Sequence, residues 1–221
     1  YFVTNQERVE AIIDNPYFLI TDMKINRSYQ LVPFLERFLK VSKNLIIIAS
    51  EVLDEAMAIL VVNKLKGAIN VVAVTAPAFG DRRVDEIEDI AILTGGHAIL
   101  EDSGREIEAI EIEELGQADK FIADRDKSII LNGAGTKGAI KKRMSDLKEQ
   151  LKIANTDFDK DIKQQRLAKL AGGVAVINVG AATEIEQKEK KERVIDAVNA
   201  TKAAVEEGIV PGGEITLLNL S

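Results

Sequence analysis

No cysteine occurs anywhere in the chain. Disulfides, thiolate metal sites and cysteine nucleophiles are therefore excluded, a pattern that a reducing cytoplasm permits. Histidine is nearly missing too, with His97 alone. A Ser–His–Asp triad would have to use it, and a histidine-rich metal site is not possible. It sits in GGHAIL at the start of an expected strand, with no motif partner, and reads as structural. No apolar run approaches the length that spans a bilayer. The first residues, YFVTNQERVE, have neither the basic nor the apolar region of a signal peptide. Excess positive charge is lacking: the formal net charge is −7, so no overall basic field draws the chain to nucleic acid or anionic lipid. There is no fixed-period repeat, no low-complexity linker and no G-x-x-x-x-G-K-[ST] phosphate loop.

What is present fits one or two globular domains with a real core: 221 residues, 46% hydrophobic and 29% charged. A start without Met, inside what reads as a strand, points to a segment cut from a longer chain. Phe18 to Ile20 reads as a short strand. Residues 28 to 41 read as a helix, with Leu31, Phe34, Leu35, Phe38 and Leu39 at three- and four-residue spacing and Pro33 expected in the first turn. Asn44 to Ala49 and Asn70 to Val74 are continuous apolar strands of the kind buried on both faces of a parallel sheet. The helix at 53 to 66 between them makes a βαβ unit. A loop at 75 to 83 precedes a helix at 84 to 93, capped by Gly95 and Gly96. Short strands are expected near 97–100, 107–112, 119–123 and 128–131. A charged helical region follows from 136 to 170, broken near Asn155, with Thr156 or Asp157 as an N-cap. Residues 171 to 182 read as a glycine-bracketed strand, and 184 to 207 as a final helix. The domain boundary is expected near Gly172 and Gly173.

Four stretches carry candidate chemistry. Gly133-Ala-Gly-Thr-Lys-Gly138 matches G-x-G-x-x-G, follows a strand and opens a helix, as a dinucleotide site would. The acids some twenty residues on, Asp157 and Asp159, follow no strand, so a plain strand-to-helix turn competes with that reading. Ala56 to Val62 is seven consecutive apolar residues, which cover every face of a helix. Either the helix is buried all round, or one face is exposed as a site for partners. Val32 and Leu35 broaden the preceding helix in the same way, and two such helices on one sheet would form a groove. Asp196, beside Val194, Ile195, Ala197 and Val198, reads on spacing alone as the polar edge of a helix. The alternating run 184 to 193 reads as a solvated helix start with weak i,i+4 pairs.

The whole chain resembles the group I (GroEL-type) chaperonins. YFVTN, VVNKLKG (61–67), APAFGDRR (76–83), LTGG (93–96), RLAKLAGGVAVINVGAATE (166–184) and RVIDAVNATKAAVEEGIVPGG (193–213) match in family order. The resemblance implies an α/β apical domain over residues 1–174, a βαβ sandwich with flanking helices. A strand and long helix of the intermediate domain would follow over 175–206, and the start of the equatorial domain's second segment over 207–221. It implies that Tyr1, Phe2, Val32, Leu35, Met57, Val61 and Val62 bind unfolded client polypeptides and, in competition, the mobile loop of a GroES-type co-chaperonin. It implies that Asp196 activates water in ATP hydrolysis, that Gly213 approaches the nucleotide, and that Glu184 contacts a sister subunit in a homo-oligomeric double ring. ATP and Mg2+ are the cofactors it implies for a full-length ATPase, in a bacterial cytoplasm or an organelle matrix. The chain departs from the family at Glu214, where a third glycine is usual, and at Ile195, where an acid is common. It also lacks the Gly-Asp-Gly-Thr-Thr-type phosphate segment, so no ATP site closes within these residues. A dinucleotide-binding oxidoreductase domain and a structural α/β domain dimerising through its apolar helices are the competing readings.

Overall fold

The computed structural model describes residues 1–7, 9–154, 156–171, 177–212 and 215–220, and the side chains of all of these except Glu206, Leu217 and Leu220. The chain divides into two compact units, Tyr1–Val174 and Ala175–Ser221.

Unit 1 is mixed α/β. In order it runs β1 (Ala11–Asp14), β2 (Tyr17–Thr21), β3 (Lys24–Ile25), α1 (Ser28–Phe38), β4 (Asn44–Ala49), β5 (Glu51–Val52), α2 (Asp54–Leu65) and β6 (Asn70–Thr75). Then come α3 (Asp81–Thr94), β7 (Ala98–Ile99), 3-10 turns at Glu101–Ser103, Ile107–Ala109 and Ile112–Glu114, β8 (Gly116–Ala123), β9 (Ser128–Gly133), α4 (Lys137–Ile153) and α5 (Asp157–Ala171). Strands β2, β4 and β6 pair in parallel, as the intervening helices require. On the other side of β2 lie β7, parallel, and the first residues of β8, antiparallel. The rest of β8 pairs antiparallel with β1 and β9, so β8 joins a parallel sheet to an antiparallel one.

Side chains alternate faces along a strand, and here both faces are apolar. Leu19, Leu45, Ile47 and Val71 pack with Leu31, Phe34 and Phe38 of α1 and with Ala56 and Leu60 of α2. Their neighbours Phe18, Ile20, Ile46, Ile48 and Val72 pack the opposite way, against Ile87 and Ala91 of α3. The two groove candidates therefore share one layer, and α3 forms the other. A second helical layer sits on α3, held by Arg143 of α4 and Arg166 of α5, which both reach Asp89.

Several expectations need correction. α1 starts at Ser28, so Pro33 lies in its second turn rather than its first, where the N–H it lacks would have bonded the Tyr29 carbonyl. α3 starts at Asp81, within the stretch expected to be loop, because Gly80 adopts a positive φ and turns the chain into the helix. Residues 107–112 form 3-10 turns and not a strand. Their Glu–Ile alternation imitates a half-buried strand, but Ile107 and Ile110, three apart, are the buried pair, which suits three residues per turn.

Unit 2 holds α6 (Glu184–Glu207) and α7 (Ile215–Leu220). Thr183 caps α6, its hydroxyl accepting from the Glu186 N–H at 3.3 Å, and Gly208 ends it at φ 85°. The expected strand at 171–182 is not found in the described part, since residues 177–182 have no strand pairing. Residues 172–176 lie outside the described residues.

Candidate functional site

α2 is not buried all round. Ala56 and Leu60, four apart, face the core, while Val62 is 46% exposed and Leu65 81%. At 100° per residue, Ala58, Val61, Val62 and Leu65 fall within about 100° of one another, roughly opposite Ala56 and Leu60. Met57 and Val61 are half-buried on the flanks. On α1, Val32 is half-buried, whereas Leu35 is only 6% exposed and belongs mainly to the core. The apolar excess of the sequence is thus shared between a core face and an open face.

The two helices are held together at their entries. Glu55, in the first turn of α2, accepts from the Ser28 N–H at 3.3 Å and the Ser28 hydroxyl at 3.2 Å, and it pairs with Arg27 at 3.5 Å. These bonds, first the backbone one from Ser28, lower the Glu55 pKa. Just before the helices, β3 and β5 pair in parallel, so the chain enters α1 and α2 from adjoining strands. Gln30 completes the start of α1, its side-chain oxygen accepting from the N–H groups of Asn26 and Arg27.

Phe2 is tied to the far end of α2. The Lys64 ammonium donates to the Phe2 carbonyl at 3.1 Å and to the Val71 carbonyl at 3.0 Å, and it lies 5.7 Å from the Phe2 ring centroid. Burial lowers the Lys64 pKa, and the two carbonyls accept hydrogen bonds from its ammonium in place of water. Phe2 is half-buried against the core, and Tyr1 beside it is 91% exposed. Tyr1, Phe2, Val32, Leu35, Met57, Val61 and Val62 therefore all lie in unit 1, on or beside the α1–α2 layer. Leu65 was missed from the sequence. It stands three residues after Val62 and four after Val61, and that spacing was the available signal.

The glycine-rich turn at 133–138 is not a dinucleotide site. It follows β9, which pairs antiparallel with β8, so the parallel βαβ setting of such sites is absent there. Its glycines serve close packing against the C-terminal end of α3. A Cβ on Gly133 would fall 2.2 Å from the Leu93 carbonyl oxygen, and one on Gly135 would fall 2.1 Å from that of Ile92. The Gly135 N–H is spent on the Leu93 carbonyl at 3.0 Å. A hollow of about 260 Å³ beside the turn is lined by Asn15, Gln117, Asp119 and Asn132 among others and offers a carboxylate without a cation. The one charged group of that lining, the Asp119 carboxylate, repels phosphate.

In unit 2, Asp196 is exposed near the middle of α6, with Ile195 and Val198 beside it on the surface. Glu184 is exposed in the first turn of the same helix. Gly213 lies outside the described residues. No group of three or more acidic or histidine side chains among the described residues could hold a metal ion. No described helix is long and apolar enough to cross a membrane. A family model described as TCP-1/cpn60 chaperonin family matches residues 19–221.

Proposed function

The chain belongs to the TCP-1/cpn60 chaperonin family, and on that premise we propose that unit 1 is the client-holding apical domain of a group I chaperonin. Family membership carries a general chaperone role. The finer reading is that non-native polypeptides and a GroES-type mobile loop compete for the α1–α2 groove.

One observation supports this above the rest. α2 exposes Val62 and Leu65 while Ala56 and Leu60 anchor its other face, so an apolar surface stays open on a helix that needs none of it to fold. Such a surface suits promiscuous capture, because apolar burial is non-directional. At roughly 25 cal/mol per Å² of apolar area, these few side chains give modest affinity per copy. Strong capture then requires several copies held together, as in a ring of sister subunits. Glu184 is the proposed subunit contact in unit 2.

The described residues do not by themselves fit ATP and Mg2+. Asp196 would contribute a single carboxylate to a nucleotide site otherwise built from other groups. Asp196→Ala in the intact chaperonin should keep ATP binding and nearly abolish turnover; unchanged turnover would remove the residue from the reaction.

The groove is tested by asking whether this chain, without ATP, suppresses aggregation of a chemically unfolded protein. A mobile-loop peptide should reverse the suppression, and Val62→Ser should weaken it without altering the melting curve. Suppression that survives both the peptide and the substitution would sink the groove assignment.

A further inference from the structure

The sharpest charge asymmetry of unit 1 lies outside the groove. Residues 101–114 read EDSGREIEAIEIEE, seven acids with one arginine. The isoleucines fix how this segment sits. Ile107 and Ile110 are buried in the cluster that holds α1 and α2, and Arg37 of α1 donates to the carbonyls of Glu108 and Ile110. With those side chains inward, Glu101, Asp102, Glu106, Glu108, Glu111 and Glu113 are left exposed. Arg105 does not neutralise them, because both its terminal nitrogens are taken by Glu114 at 2.8 Å.

α4 carries the opposite sign. Lys137, Lys141, Lys148 and Lys152 are exposed, and none forms an ion pair with another described residue. At 100° and 1.5 Å per residue they fall within about 60° of arc along about 22 Å of helix. That arc stands apart from the docking face, where Leu147 is buried and Arg143 reaches Asp89 of α3. Asp146 and Glu149 lie on the far flank. Four like charges on one strip repel each other, and none of the four is neutralised by an ion pair within the described residues of its own copy.

The two surfaces cannot meet within one copy. The acidic segment rests on the α1–α2 layer, α4 rests on α3, and the sheet stands between. We propose that the acidic segment of one copy, residues 101–113, docks on the Lys137–Lys141–Lys148–Lys152 stripe of a second copy. Each copy then keeps one surface free, so the contact is head to tail and propagates into a ring or a filament. It is independent of the α1–α2 groove and of Glu184. The paired charges are exposed, so each is worth little alone, and the contact is weak, salt-sensitive and orienting.

The test uses two charge-reversed chains. One carries Lys137→Glu, Lys141→Glu, Lys148→Glu and Lys152→Glu; the other carries Glu101→Lys, Glu106→Lys, Glu108→Lys and Glu113→Lys. Sedimentation velocity should show the parent self-associating at about 20 mM salt and at least about tenfold more weakly at about 300 mM, where screening is short-ranged. Each reversed chain alone should stay monomeric, and an equimolar mixture should associate again. Every substituted side chain is exposed, so melting curves should match the parent; should a reversed chain fail to fold, the neutral Lys→Gln set reads the same loss. Absence of self-association at low salt, association untouched by either reversal, or a mixture that stays monomeric would each overturn the proposal. So would retention of a short nucleic acid by the stripe without any self-association.

Discussion

Arg166 of α5 forks onto Asp89 of α3, its Nε 2.6 Å from Oδ2 and its Nη2 3.1 Å from Oδ1, with both residues buried. Its Nη1 also donates to the Asp85 carboxylate at 2.6 Å and its Nη2 to the Asp85 carbonyl at 3.4 Å. Burial alone would lower the Arg166 pKa, but the hydrogen bonds and charges of Asp89 and Asp85 outweigh it and raise it. Arg143 of α4 takes the remaining side of Asp89 at 2.7 Å. One carboxylate thus joins three helices.

Removing Arg166 takes two of the three hydrogen bonds from the buried Asp89 carboxylate and leaves only Arg143 to compensate its charge. Arg166→Ala should therefore cost about 3 kcal/mol of unfolding free energy in urea. Lys169→Ala, which breaks an exposed 2.9 Å pair with Glu86, should cost about 0.5 kcal/mol or less. Equal losses would mean that burial does not decide the strength of these bridges.

The glycine turn makes the next prediction. Gly135→Ala places a methyl 2.1 Å from the Ile92 carbonyl, and neither backbone can yield cheaply. It should cost about 3 kcal/mol, in the range of overpacked cores. Gly138→Ala meets open space in the first turn of α4 and should raise stability by up to about 1 kcal/mol. Opposite signs in thermal melts are the expected result. Two neutral substitutions would mean that the turn is loose and its glycines are not packing residues.

Acid should loosen the acidic 101–114 segment. The hydrogen bonds from Arg105, then the Glu111 N–H, hold the Glu114 carboxyl down at about 2. A depressed folded pKa gives stability that is present above the ordinary value of 4.5 and lost as pH falls from there through about 2. Glu114→Gln should cost about 1 kcal/mol at neutral pH, since Arg105 is well exposed and the pair is screened. The gap from the parent should close near pH 2 in acid unfolding curves. A gap that is constant with pH would show that the carboxylate does not contribute through ionisation.

These elements also show why some of the fold was legible and some was not. β4 was found to the residue because Leu45–Ala49, following Asn44, is an unbroken apolar run that only a strand covered on both faces would bury. α6 was bounded correctly because its ends carry local signals, the Thr183 cap and Gly208. The 107–112 stretch misled because its Glu–Ile alternation imitates a half-buried strand, whereas burial follows the three-residue spacing of Ile107 and Ile110. The Arg166–Asp89 fork was invisible because its partners are 77 residues apart, and nothing local marks a buried charge. The groove was half legible. Seven consecutive apolar residues announced a helix with more apolar surface than one face needs, but only packing decides that Leu60 faces inward and Val62 outward.

That last distinction yields the most discriminating substitutions for the groove. Leu60 has no exposed surface and packs with α1 and the sheet, so Leu60→Ala should cost about 2–5 kcal/mol through lost burial and the cavity left behind. Val62 and Leu65 already meet water, so Val62→Ser and Leu65→Ser should change stability by about 0.5 kcal/mol or less. If the exposed stripe is the capture surface, the ranking inverts for client binding. The two serine variants should lose capture of an unfolded protein at full stability, and a capture assay run below the melting point of Leu60→Ala should find that variant near the parent. Loss of capture that simply follows loss of stability across all three would place the whole of α2 in the core and leave the groove without an open wall.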